Sequence, residues 1–319
     1  MNHFHHVPVL VDAVVQYALP ENAQIFADCT FGLGGHTKAV LEHYPQLTKV
    51  IAIDRDRQIL SHSSTVYDDR RIQRIQARAS ELPQALQHLG ISAVDGILLD
   101  LGVSSYQLEA PDRGFSFSRP GPLDMRMNRE DTTTAEELIN HYTRDELVKI
   151  FRDYGEEKFS GRIADAIVRA RQSERITRTD QLATIISGAV PAASRRESHI
   201  HPATRVFQAI RIAVNKELEE LEDFLAIALS CLSPGGHLSV ISFHSLEDRL
   251  VKTFMQSLAR GCDCPPRFPV CVCGKKPQVE ILTRKAIFAE DSETAANPRA
   301  RSARLRSCRK IDLAMEQNL

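Results

Sequence analysis

The sequence predicts an α/β protein: one parallel sheet covered by helices on both faces, interrupted by a helical insertion. Three observations predict it. Short apolar runs ending in Gly or Asp recur through the first third of the chain, with helix-patterned stretches between them. That alternation stops near residue 106, and helical patterns with little strand signal run to about residue 230. SPGGHLSVISF then turns sharply into another buried strand. One domain with an insertion explains this better than two domains in tandem: residues 1–110 and 212–319 form the discontinuous α/β domain, residues 111–211 the inserted helical one.

Taken in order, QIFADCTFG reads as a short buried strand ending in a turn. HTKAVLEHYP has helical spacing, with Ala39, Val40 and Tyr44 on one side. KVIAIDRD, IQRIQARA and VDGILLDLG give the second, third and fourth strands. YQLEAPDRGFSFSRPGPLDMRMNRED, rich in Gly, Pro and charge, reads as a loop. Thr143 and Glu146 form a capping box, and Gly155 fits the stop of that helix. In EKFSGRIADAIVRARQ, Phe159, Ile163, Ala166, Ile167 and Ala170 line one face, as core packing requires. One long helix is expected from Ala203 through LEELEDFLAIALSCL.

The chain has 319 residues, 43% hydrophobic and 25% charged, as a folded globular protein does. No apolar run is long enough to span a bilayer, and MNHFHHVPVLVDAVV lacks the pattern of a signal peptide, so a cytoplasmic location and no membrane partner are expected. Seven cysteines are then expected to stay reduced. A formal net charge of -1 gives no global attraction to nucleic acid, so such a partner must be held by local patches.

The stretch FADCTFGLGGH, closed by the later acid Asp54, suggests a cofactor loop. Gly32 and Gly34 fit the first two glycines of the dinucleotide fingerprint, but Thr37 stands at the third, and the remaining glycine has moved to Gly35. An acid, Asp28, also precedes the loop. It would repel a pyrophosphate, whereas it suits the ammonium and sulfonium of S-adenosylmethionine (SAM). Asp54 is placed to accept from ribose hydroxyls in either case. The pattern favours SAM over a nicotinamide dinucleotide. Asp100 lies in the otherwise apolar run ILLDLG, where a carboxylate needs a partner. Its place at a strand end points to the adenine amine or the reacting group.

HVPVL at 6–10, DCTFGLGGH at 28–36, DGILLDLGVSS at 95–105, RGFSFSRPGPLDMRM at 113–127, YGEEKFSGRIADAIV at 154–168, HPATRVFQAIRIAVNKEL at 201–218, ISFHSLEDRLVK at 241–252 and NPRARSARLR at 297–306 together resemble one family. It is the bacterial small-subunit (16S) rRNA cytosine N4-methyltransferase family, RsmH (MraW), and the likeness spans nearly the whole chain in order. It implies a class I SAM-dependent methyltransferase fold, Rossmann-like with a mostly parallel sheet, and an inserted helical substrate-recognition domain. It implies methyl transfer to the exocyclic N4 amine of a cytidine near the decoding centre, within the assembled 30S subunit, with no DNA partner. By motif position it implies cofactor contacts at Gly34, Gly35, His36, Asp54, Asp100 and Gln107, and a backbone contact at Ala79.

A cytosine amine is a poor nucleophile, so positioning and acceptance of its hydrogen bonds must supply most of the gain. Candidates are Asp100, Ser104 and His244. No general base is assigned, since the amine can lose its proton to water after transfer. DNA amino-methyltransferases usually carry a proline-proline-aromatic motif after this acid, and LGVSS replaces it here.

Basic residues cluster in residues 113–129, from Arg178 to Lys216, and in NPRARSARLRSCRK. Aromatics among arginines suit unpaired bases. Phe115, Arg126, Arg205 and Arg211 are therefore the substrate-binding candidates, and Arg195 and Arg196 belong to the same run. Cys262, Cys264, Cys271 and Cys273 form C-x-C-x6-C-x-C. Four thiolates so close suit zinc, but the usual spacing is C-x2-C. A reduced, proline-stiffened hairpin is the alternative, and no metal is assigned. The competing functions are a DNA or small-molecule methyltransferase, and a SAM-binding ribosome-assembly factor without catalysis.

Overall fold

The computed structural model describes residues 7–197, 200–265, 268 and 270–312, without the side chains of residues 195–197. Arg195 and Arg196 therefore lie outside what can be described of side chains. The chain divides into two compact units, one of residues 7–102 and 219–312, the other of residues 103–218.

The first unit is built on a sheet of eight strands: β1 (Ile25–Asp28), β2 (Lys49–Asp54), β3 (Ile72–Gln76), β4 (Val94–Asp100), β5 (Leu232–Ser242), β6 (Val279–Ile281), β7 (Ile287–Phe288) and β8 (Arg304–Lys310). The order is β3-β2-β1-β4-β5-β8-β6, with β7 also on β8. The first five are mutually parallel, and β8 runs antiparallel to β5, β6 and β7. This is the Rossmann-like, mostly parallel sheet that the sequence predicts.

Its apolar runs have a simple cause. Alternate residues of a strand face opposite sides, and both sides are covered. Phe26, Val50, Ala52 and Leu98 pack into one cluster with Val14 of α1 (Val11–Tyr17) and Val40 of α2 (Gly35–His43). Ala27, Ile51, Ile53, Ile97 and Leu99 pack into another with Leu86 of α4 (Leu82–His88) and Val251 of α13 (Ser245–Ala259). The fully buried Phe, Val, Leu and Ile side chains among them contribute about 1.5–3 kcal/mol each. On α2 the buried face is His36, Thr37, Val40 and Leu41, displaced from the one expected through Ala39. Strand β3 sits at the edge and is mostly half-buried, which explains its weaker apolar pattern.

The basic C-terminal run is not a tail. As β8 it lies inside the sheet, where Arg306 donates to both carboxylate oxygens of Asp248 at 2.7 and 3.2 Å. Lys310 Nζ donates to the carbonyls of Leu229 and Leu232 at 2.8 and 2.6 Å.

The second unit contains α5 (Ser105–Glu109), α6 (Ala135–His141), α7 (Arg144–Asp153), α8 (Ser160–Ser173), α9 (Thr179–Ala189), α10 (Ala192–Glu197) and α11 (Ala203–Asn215). The Thr143–Glu146 capping box starts α7 as expected. Gly155 has a role other than an αL stop: a Cβ there would lie 2.7 Å from the carbonyl oxygens of Phe151 and Arg205. The single long helix expected after residue 203 is two, since Lys216 has φ 50° and separates α11 from α12 (Glu217–Cys231).

The presumed loop after residue 106 also differs. It opens with α5, and its apolar residues Phe115, Leu123, Met125 and Met127 are buried in the helical core. The side chain of Asn215 accepts from Met127 N and donates to Met125 O, both at 2.7 Å. Such bonds let irregular backbone be buried without orphaned polar groups.

Candidate cofactor site

Strand order reverses direction between β1 and β4, and ligands of open α/β sheets bind outside the carboxyl ends of strands at such a point. Three acids end the strands that converge there: Asp28 on β1, Asp54 on β2 and Asp100 on β4. Gly34 caps α2 with φ 81°, and a Cβ there would meet the Phe31 ring at 2.8 Å. Only glycine serves at that position.

Asp54 organises the loop. Its Oδ2 accepts from Gly32 N at 2.9 Å and its Oδ1 from Asp56 N at 2.8 Å. Burial raises its carboxyl to about 6, against these two amides, which pull it down. Each carboxylate oxygen keeps a second lone pair, so the group can still accept from ribose hydroxyls. Ala79 opens a short 3-10 turn just past β3 and is half-buried, so backbone is what it offers.

Asp28 does not serve as expected. It is only 1% exposed. Its Oδ2 accepts from Thr37 Oγ1 at 2.7 Å, and its Oδ1 from Thr30 N at 3.3 Å. Asp28 thus braces α2 against β1 instead of facing a cationic ligand. Held this way, Asp28 does not distinguish a sulfonium from a pyrophosphate.

Asp100 is the least satisfied group of the site. Its Oδ1 is buried and has no hydrogen-bond partner among the described residues. Its backbone N–H donates to Thr30 Oγ1 at 2.6 Å, which ties the β1 loop to the end of β4. Burial first, then the charge of Glu247, pushes its carboxyl up to about 8.

His36 Nδ1 lies 3.6 Å from Asp100 Oδ2. Its Nε2 is 2.7 Å from the carbonyl of Val9, which can only accept, so Nε2 carries the proton. Burial lowers the His36 pKa and keeps the ring neutral. The N-terminal segment is thereby fastened to the glycine loop. Leu10 N also donates to Glu293 Oε1 at 2.7 Å, and Asn297 Nδ2 to Val7 O at 3.1 Å. Thr30, Val9, Glu247 and Glu293 are site-building residues that the sequence reading did not single out. Thr30 and Val9 lie within motifs already noted, but no spacing rule marks them.

Gly34, Gly35, His36, Asp54, Ala79 and Asp100 thus all belong to the sheet unit, as does His244. His244 is the N-cap of α13: its Nδ1 accepts from Glu247 N at 3.4 Å, while Glu247 Oε2 accepts from His244 N at 3.3 Å. The cap occupies Nδ1, while the buried Nε2 lies 3.1 Å from Glu247 Oε1. Ser104 and Gln107 belong to the helical unit and form the capping box of α5, with Ser104 Oγ accepting from Gln107 N at 3.2 Å and Gln107 Oε1 from Ser104 N at 3.0 Å. Ser104 too is a cap, a role contributing about 1 kcal/mol.

The substrate-binding candidates, all in the helical unit, separate sharply. Phe115 is buried at 8% exposure, with the buried Arg113 guanidinium against its ring, so it cannot stack on a base. Arg126 donates to both oxygens of Asp124 at 2.7 and 2.9 Å, and Arg211 to both of Glu217 at 2.8 Å. These arginines hold the fold. Arg205 alone of the four is exposed, on α11 beside Glu157, Lys158 and His201.

Among known proteins, the model of the MraW methylase family matches residues 3–311. The chain is similar to "Ribosomal RNA small subunit methyltransferase H" of Heliobacterium modesticaldum, 46% identical over 97% of this chain and 99% of that one. The protein of the same name from Carboxydothermus hydrogenoformans is 44% identical over 98% and 99%. Among solved structures, an rRNA methylase from Streptococcus thermophilus aligns over 95% of this chain and 94% of its own, at 10% identity and a TM-score of 0.41. With a match that runs nearly end to end over this site, the chain belongs to the MraW methylase family.

Proposed function

We propose that the protein transfers a methyl group from SAM to the exocyclic N4 amine of a cytidine in small-subunit rRNA, near the decoding centre and within the assembled subunit. The observation that carries the chemistry is Asp100 at the carboxyl end of β4, whose buried Oδ1 has no partner among the described residues. The substrate class follows from the relatives' names. A cytoplasmic location belongs to the same reading; among the described residues no helix is long and apolar enough to cross a membrane.

The residues suit the cofactor. Backbone of Gly34, Gly35 and His36 would face the cofactor, in a loop whose left-handed turn at Gly34 leaves no room for a Cβ beside the Phe31 ring. Asp54 would hold the ribose, and backbone at Ala79 the base. When bound, SAM supplies an electrophilic methyl group on sulfur. The chain itself must orient the amine and accept its hydrogen bonds as positive charge develops there. Asp100 Oδ1 is the acceptor available for that. The target base must leave its stack to reach such a site.

Asp100→Asn tests the reading, with methyl transfer and rRNA binding measured side by side. Methylation is expected to be lost while binding survives. Equal retention of methylation would remove Asp100 from the chemistry.

A further inference from the structure

We propose that Cys262, Cys264, Cys271 and Cys273 form a tetrathiolate site for zinc that fixes the segment between α13 and β6. None of them is among the residues of the cofactor site, and they follow the C-terminal end of α13, whose other end is capped by His244.

The geometry is that of a coordination shell. The four sulfurs all lie within 4.8 Å of one another. Three form a triangle: Cys262 to Cys271 is 3.4 Å, Cys271 to Cys273 3.6 Å, and Cys262 to Cys273 3.8 Å. The Cys264 sulfur is 4.0 Å from Cys271. A fourth atom this close to all three, without overlapping any, must sit above their plane, which makes a tetrahedron. Zinc with Zn–S bonds of about 2.3 Å places its sulfurs about 3.8 Å apart. All four cysteines are free.

Two further observations point to a ligand. Amide N–H groups donate to three of the sulfurs: Cys264 N to Cys262 at 3.3 Å, Val272 N to Cys264 at 3.4 Å, and Asp263 N to Cys273 at 3.5 Å. A thiol is a weak acceptor and a thiolate a good one, so these donors suit metal-bound sulfur. Second, no described residue from 260 to 278 is buried. Phe268, Val270 and Val272 are 54%, 70% and 73% exposed. The excursion is closed at its base by Gln278 N donating to Leu258 O at 2.8 Å, but its described residues form no hydrophobic core. Packing therefore does not gather the sulfurs, and a small coreless segment needs a cross-link.

Four protein ligands close the shell, so the metal would be structural, with no open position for substrate. A soft all-sulfur tetrahedral set selects zinc over magnesium or calcium. The tight C-x-C spacing argued against this reading, but the fold brings the two pairs together regardless.

The full chain, purified under reducing conditions without chelator, is expected to carry one zinc per chain by mass spectrometry of metals, released by a thiol-modifying reagent. Cobalt exchanged into the reduced protein should give tetrahedral ligand-field bands and sulfur-to-cobalt charge transfer. Cys264→Ser with Cys271→Ser should weaken metal binding at least a hundredfold and speed proteolysis within residues 260–278. Absence of zinc together with no cobalt spectrum on the unsubstituted protein would overturn the proposal, as would undiminished metal binding in the double variant. The cobalt measurement needs no variant to fold, and neither it nor the metal content depends on methyltransferase activity.

Discussion

His36 Nδ1 faces Asp100 Oδ2 at 3.6 Å, while His36 Nε2 is held by Val9 O at 2.7 Å. The imidazole is therefore neutral and turns a lone pair toward the carboxyl. That favours the protonated acid, in line with a carboxyl pushed up to about 8 by burial. The cofactor site thus holds Asp100 neutral at pH 7 when nothing cationic is near.

A pH dependence of binding follows. A sulfonium favours the ionised form of Asp100, so SAM binding below pH 8 must expel a proton. S-adenosylhomocysteine lacks that positive charge. The ratio of SAM to S-adenosylhomocysteine affinity should rise with pH up to about 8 and then level off. Calorimetry in buffers of different ionisation enthalpy measures both the ratio and the proton release. A ratio independent of pH would detach Asp100 from the sulfonium.

Stability of the cofactor-free protein should run the other way. Burial raises Asp28 and Asp54 to about 6 and Asp100 to about 8. The folded state then binds more protons than the unfolded one above the ordinary carboxylate range, so stability contributed at low pH is lost as pH rises through these values. Asp100→Asn should flatten the upper part of that fall and raise the melting temperature at pH 8. Thermal melts across pH decide it.

Gly34→Ala should disturb the loop directly. The left-handed φ costs a non-glycine residue about 1–2 kcal/mol. The new Cβ would also displace the Phe31 ring. A loss of at least about tenfold in SAM affinity is expected, since 1.4 kcal/mol is a factor of ten. Equilibrium dialysis with labelled SAM reads it.

Arg126 and Arg205 should respond differently to alanine. Arg126 is bound to Asp124 and to the carbonyls of Arg129 and Asp131. Its loss should lower the melting temperature. Arg205 is exposed, and its loss should weaken rRNA binding and reduce the salt slope by about one with little change in stability. Filter binding over a salt series and melts on the same samples separate the two.

Much of the fold is legible in the sequence because β1, β2 and β4 are covered on both faces and so carry runs of consecutive buried apolar residues. The glycine loop, Asp54 and Asp100 are legible for a related reason: a left-handed turn asks for glycine, and a carboxylate at the end of a buried run asks for a partner. What could not be read depends on partners distant in the chain. The arginine clusters look like an RNA surface until Asp124, Glu217 and Asp248 are seen to neutralise them. The residue 106–130 stretch looks like a loop because its burial rests on Asn215, nearly ninety residues away. That His244 caps α13 could not be read, since histidine is an unusual helix cap. Lys216 breaks a helix with no glycine or proline to signal it.

The central claim is tested most directly with SAM labelled on its methyl group. The protein would be incubated with small subunits lacking the modification, with naked rRNA and with DNA, and the digested nucleosides identified. Label in N4-methylated cytidine, from assembled subunits, is the predicted result. Label in DNA, or none anywhere despite measurable SAM binding, would contradict it.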